Sequence, residues 1–121
     1  MKIERFEDSL VWKKSRDLTL EIYKNLKDCR DYSFRDQICR AAVSIMNNIA
    51  EGFEKGTDKD LAKFLFIAKG SSGETRSMLY LARDLGYIKD DEFGRLYESS
   101  IEISKMLWGF IKSLKLKETS L

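Results

Sequence analysis

The chain of 121 residues carries 22 Lys and Arg against 20 Asp and Glu, 43% apolar residues, and neither His nor Pro. The missing histidines exclude Ser-His-Asp and Cys-His couples, two-histidine zinc fingers and the His-Glu-x-x-His metal helix, together with the one side chain that ordinarily titrates near neutrality. A net charge of +2 does not by itself attract a polyanion, because such affinity grows with the number of phosphates that a localised basic surface neutralises.

The absence of Pro permits long helices, since an interior Pro removes a hydrogen bond and clashes with the preceding turn. Glycine and polar clusters punctuate the chain instead, with breaks at 28–33, 52–57 and 86–89. They leave helices over 8–28, 33–53, 58–85 and 90–116, each roughly 30 to 40 Å long at about 1.5 Å per residue. Similar lengths and short connections predict an all-α fold, an antiparallel up-and-down four-helix bundle in a single domain over 1–121.

Ahead of the first helix, charges at Lys2, Glu4, Arg5, Glu7 and Asp8 interrupt any apolar stretch, so no secretory signal is expected. No apolar run in the chain is long enough to cross a bilayer, and no membrane partner is expected. Lys13, Lys14 and Arg16 form a basic group near the start of this helix. Cys29 and Cys39 are too few for a disulfide framework and do not form a C-x-x-C pair; they read as reduced thiols of a cytoplasmic protein.

The second helix opens on Ser33 with Asp36 three residues on, the spacing of a capping box. Its apolar face runs through Phe34, Ile38, Ala41, Ala42, Ile45, Ile49 and Phe53, and continues round through Cys39, Val43, Met46 and Ala50. Polar groups are confined to one strip: Gln37, Arg40, Ser44, Asn47, Asn48 and Glu51. Two readings stand: a solvated face, or a partly buried network in which Arg40 pairs with Glu51 or Glu74. Ser and Asn are mediocre helix formers, which a simple solvated face does not require.

The third helix starts at Thr57 with Asp60 and ends at Gly86, a left-handed terminator followed by the apolar Tyr87. One face carries Leu61, Phe64, Leu65, Ala68, Ser72, Thr75, Leu79 and Ala82, and much of the other carries Phe66, Gly70, Gly73, Ser77 and Leu81. Each interior glycine costs about 1 kcal/mol relative to Ala, which makes sense where another helix must come close. Gly70-Ser-Ser-Gly-Glu lacks both the spacing and the Lys-Ser/Thr ending of a phosphate-binding loop, and it lies within a helical pattern.

Around Lys89, Ile88 and Phe93 have the spacing of a hydrophobic staple for the fourth helix. The wheel assigns its core stripe to Phe93, Leu96, Tyr97, Ile101, Ser104, Leu107, Trp108, Ile111 and Leu114. A second stripe of Ile103, Met106 and Phe110 widens the apolar arc well beyond what a surface helix needs. Homo-oligomerisation through the third and fourth helices is the expected cover, with Phe66, Gly70, Gly73, Ser77, Ile103, Met106 and Phe110 at the interface. Between Lys105 and Lys117 the chain has four lysines and no acid.

A helix bundle invites a di-metal carboxylate site, but such sites draw Glu-x-x-His from two helices and this chain has no His. Glu51 and Glu74 are better partners for Arg40 than for a metal. No catalytic, metal or cofactor site and no small-molecule substrate is expected; the protein reads as a non-enzyme.

Three separated motifs carry a resemblance. They are Phe6-Glu-Asp-x-Leu-Val-Trp-Lys-Lys, Gln37-x-x-Arg-Ala-Ala-x-Ser-Ile-x-x-Asn-Ile-Ala-Glu-Gly and Phe64-Leu-x-Ile-Ala-x-Gly-Ser-x-x-Glu, joined by Gly86-Tyr87-Ile88 and Met106-Leu107. Together they resemble the bacterial 23S rRNA intervening-sequence proteins, also described as four helix bundle proteins. Ser9 and Lys89 depart from the usual pattern without endangering the fold. The resemblance implies antiparallel bundles assembled into rings, commonly pentamers, and, through related bundle proteins that accompany diversity-generating retroelements, a nucleic-acid partner, RNA or DNA. The expected contact is to the phosphate backbone, through Lys13, Lys14, Arg16, Lys105, Lys112, Lys115 and Lys117. The alternative is a protein-interaction scaffold that presents Asn47, Glu51 or the basic tail to another protein.

Overall fold

Local chemistry sets the helix ends in a computed structural model that describes residues 5–114. A 3-10 turn at Phe6–Asp8 leads into α1 (Leu10–Asn25), followed by α2 (Tyr32–Lys55), α3 (Asp58–Asp84) and α4 (Asp90–Ser113). The expected fourth helix ran to 116; α4 stops at Ser113, and Lys115 and Lys117 lie outside the described residues.

Asp31, not Ser33, caps α2: its carboxylate accepts the Phe34 N–H at 3.2 Å, and its other oxygen accepts the Tyr87 hydroxyl at 2.7 Å. The helix therefore begins earlier than the Ser33 spacing implied, and the cap also ties it to the α3–α4 loop. At the start of α3 the Thr57 hydroxyl accepts the Asp60 N–H at 3.1 Å and donates to the Asp60 carboxylate at 3.1 Å. The helix ends where Gly86 takes φ 77°, which lets the Tyr87 N–H reach the Ala82 carbonyl at 2.8 Å and the Gly86 N–H reach that of Arg83 at 2.9 Å. Lys89 provides no side-chain cap to α4, but Asp90, Asp91 and Glu92 place negative charge against the positive end of its dipole.

Among the described residues there are four α-helices and no strand, and the helices pack in sequence with α1 closing against α4. Opposite directions follow from the pairings: Gly52 lies against Leu61 near the α2–α3 connection, and Ser44 meets Ser71 farther along both helices. One apolar core is shared by all four, with Leu18, Ile38, Ile45, Leu65, Ile103 and Leu107 essentially sealed from water. Small hydroxyl residues let the helices approach without leaving unpaired polar groups. Ser15, Thr19 and Thr75 donate to carbonyls one turn back at 2.8 Å, and Ser72 donates across to the Ser100 carbonyl at 3.1 Å. No buried side-chain nitrogen or oxygen among the described residues lacks a partner.

Helix α2 runs on past the expected break, through Gly52 to Lys55, and ends at Gly56 with φ 88°. Gly52 is thus interior, and a Cβ there would lie 3.0 Å from both Leu61 Cδ1 and Phe64 Cβ. It is the glycine that admits a neighbouring helix within the chain. By contrast, a Cβ on Gly70 would meet nothing within 4 Å, and one on Gly73 only the Arg76 Nη2 at 3.8 Å.

Helix α4 also turns a different edge inward from the one its wheel assigns. Its inward edge is Leu96, Ser100, Ile103, Leu107 and Ile111, while Trp108 is 43% exposed. The short side chain of Ser100, set against Ser72, lets this edge turn inward, and the bulky aromatic residues remain on the flank beside α3. Ile103, expected at a subunit interface, is 0% exposed and belongs to the core of the single chain. Met106 and Phe110 pack against that core, with the Phe110 ring edge-on to Phe53 at 5.8 Å.

Candidate nucleic-acid interface

Helical spacing places Lys105, Trp108 and Lys112 along one side of α4, and Phe66 and Lys69 on the facing side of α3. The Trp108 ring centroid stands 6.1 Å from that of Phe66, itself 51% exposed. The Lys112 and Lys69 ammonium groups approach the indole to 5.6 and 6.0 Å from its centroid. Lys69, Ser104, Lys105 and Trp108 line a shallow cleft of about 310 Å³. Among the described residues none of these lysines makes an ion pair.

The same α3–α4 seam continues away from this cleft as a second aromatic and cationic cluster. Arg83 lies 4.4 Å from the Phe93 centroid and 5.4 Å from that of Tyr80, and Tyr80, Phe93 and Tyr97 contact one another. Arg76 donates to the Ser104 hydroxyl at 3.2 Å, which joins the two halves of the seam. The Tyr80 phenol is held above its ordinary pKa mainly by its hydrogen bond to Tyr97, which keeps it neutral at physiological pH. These aromatic rings pack on one another, with Tyr80 as exposed as Trp108; what distinguishes the Trp108 end of the seam is its lysines.

The other expected cations are arranged differently. Lys14 is engaged with Glu102 at 3.1 Å, and Arg16 rests over Trp12 at 5.0 Å. Lys13 is exposed on α1. Sequence reasoning missed Lys69, because only the packing of α3 on α4 brings it beside Trp108; the lysine-rich spacing of the fourth helix signalled the other half of the cluster.

Of the two readings of the α2 strip, the charged residues follow the solvated one within the single chain. Gln37, Arg40, Glu51 and Glu74 are all exposed, and no ion pair joins Arg40 to either Glu51 or Glu74 among the described residues. What the strip builds is a small neutral network. Asn48 donates to the Ser44 carbonyl at 2.8 Å and to its hydroxyl at 2.9 Å, and that hydroxyl meets Ser71 of α3 at 2.9 Å. Of the expected interface, Phe66, Gly70 and Ser77 are exposed and Gly73 is half-buried, a continuous stripe along the outside of α3.

No group of three or more Cys, Asp or Glu residues is placed to hold a metal ion among the described residues. Burial pushes the Cys39 thiol up, keeping it protonated and a poor nucleophile. No described helix is long and apolar enough to cross a membrane.

No curated protein matches the chain. A protein of unknown function from the S23 ribosomal protein family of Bacteroides thetaiotaomicron VPI-5482 has a solved structure that is similar, with a TM-score of 0.79 and 30% sequence identity over 86% of this chain and 100% of that one. The family model of the 23S rRNA-intervening sequence protein matches residues 7–109, a span that takes in Phe66, Lys69, Lys105 and Trp108 and stops short of Lys112. On both counts, the chain belongs to the 23S rRNA-intervening sequence protein family.

Proposed function

We propose that this protein is a cytoplasmic, non-enzymatic homo-oligomer that binds nucleic acid through the phosphate backbone. The observation that carries the reading is the convergence of Lys69, Lys105 and Lys112, from two helices, on one face without acidic partners among the described residues. Near-zero net charge does not oppose it, because counterion release depends on the local cations that meet phosphates. The exposed stripe of Gly70, Ser77 and Leu81 on α3, beyond the Trp108 cleft, supports self-association. A ring, five-membered by the family resemblance, repeats the lysine cluster once per subunit and multiplies weak phosphate contacts into avidity.

A salt titration tests this reading. Labelled RNA and DNA are expected to bind at about 50 mM salt with an affinity that falls linearly on a log–log plot. Replacing Lys69, Lys105 and Lys112 together by Gln should flatten that slope by about one unit for each phosphate no longer neutralised. Absence of binding to either polymer at low salt refutes it and favours the protein-scaffold alternative. Light scattering reads the oligomer separately: a 14.1 kDa particle at micromolar concentration would exclude self-association.

A further inference from the structure

We infer that Trp108 is a stacking platform for an unpaired base, with Lys69, Lys105 and Lys112 holding the flanking phosphates, so that the α3–α4 cleft selects single-stranded over duplex nucleic acid. The inference rests on the nucleic-acid reading above and adds the form of the ligand. Three observations combine. An indole left 43% exposed forgoes burial that a four-helix core readily provides, and the inward turn of Ser100 and Ile103 is what leaves it outside. Lysines from both helices surround it, two of them with ammonium groups near the ring. The adjoining cleft, lined by Lys69, Ser104, Lys105 and Trp108, is shallow and open, so a flat base can reach the ring from solvent.

Charge decides the occupant. Cores of protein interfaces are depleted in lysine, because each ammonium must shed its water, so a cluster of three argues against a protein that buries Trp108. A polyanion instead gives each ammonium a phosphate. Duplexes hide the faces of their bases within the stack, whereas a single strand can turn one onto an aromatic ring while its backbone follows the cations. Phe66 borders the platform on the α3 side and offers a second apolar edge.

The test uses the full chain with Trp12→Phe, which leaves Trp108 as the sole indole of the two in the sequence. Its fluorescence is titrated with oligothymidylate, with the corresponding dT·dA duplex, and with heparin as a polyanion that has no bases. Oligothymidylate should quench Trp108 and bind about tenfold more tightly than the duplex. Trp108→Ala should lower single-strand affinity by about tenfold and leave heparin affinity within about twofold, while Trp108→Phe should recover most of the loss. Equal affinity for single strand and duplex, or an unquenched indole in the saturated complex, overturns the stacking inference and leaves phosphate binding standing. Failure of all three polyanions to bind at low salt overturns both readings. The quenching and strand-preference measurements need no substitution at Trp108, so they decide the matter even if Trp108→Ala misfolds.

Discussion

The two seams that α3 makes with its neighbours are built on opposite terms. Against α2 it is drawn close: Gly52 leaves only 3.0 Å between a would-be Cβ and two α3 side chains, and the Ser44–Ser71 hydroxyl pair closes the same seam without charge. Against α4 the inner edge is equally small, Ser72 meeting Ser100 and Ser104, but the outer edge is propped by Trp108, Phe66, Tyr80 and Phe93 with lysine and arginine among them. The tight seam serves cohesion. The propped seam holds an accessible, positively charged aromatic surface, which is why the candidate site lies there.

The largest expected effect comes from the inner edge of the propped seam. Ile103→Ala removes a wholly buried side chain and should cost about 2–5 kcal/mol in a urea or thermal melt. Were Ile103 at a subunit interface, the destabilisation would instead depend on protein concentration and the monomer would retain its stability. Next is the tight seam itself. Gly52→Val forces branched carbons against Phe64 Cβ and Leu61, and Phe64 Cβ cannot yield unless the start of α3 moves. A loss of about 1–3 kcal/mol is expected, read as a lower denaturant midpoint.

Gly70 reverses the sign. It carries the same intrinsic helix penalty as Gly52, but space is open beside it, so Gly70→Ala should stabilise the monomer by about 0.5–1 kcal/mol. Gly70→Leu should leave the single chain folded yet lower the particle mass in light scattering if subunits approach along this stripe. A mass unchanged by that substitution removes the α3 stripe from the proposed interface.

These contrasts also show what the sequence could and could not reveal. Helix number and order were legible because missing Pro, the Thr57–Asp60 pair and Gly86 are local signals, decided within a few residues. The core face of α3 was legible for the same reason, since its small and apolar residues repeat on one side. The orientation of α4 was not. Its wheel has an apolar arc too broad to define a direction, and the choice between Ile103 and Trp108 is made by Ser100 meeting Ser72 of another helix. Likewise the fourth helix advertised Lys105 and Lys112, but Lys69 joins them only through tertiary packing. Gly52 looks like punctuation because a buried contact glycine and a terminating glycine are alike in sequence; Gly56, four residues on, takes the terminating φ.

The smallest expected effect separates polar residues that knit the tight seam from those that merely border it. Glu51 lies on the same strip of α2 as Ser44 and Asn48, yet it is exposed and makes no ion pair with Arg40 among the described residues. Glu51→Ala should therefore shift stability by no more than about 0.5 kcal/mol. Asn48→Ala removes donations to both the Ser44 carbonyl and its hydroxyl, from a half-buried position, and should cost about 0.5–1.5 kcal/mol. The order of the two effects is the informative quantity. If Glu51→Ala proves the more damaging, a charge pairing absent from the single chain must form on assembly; this would be seen as a destabilisation that grows with protein concentration, and it would move part of the subunit interface onto α2.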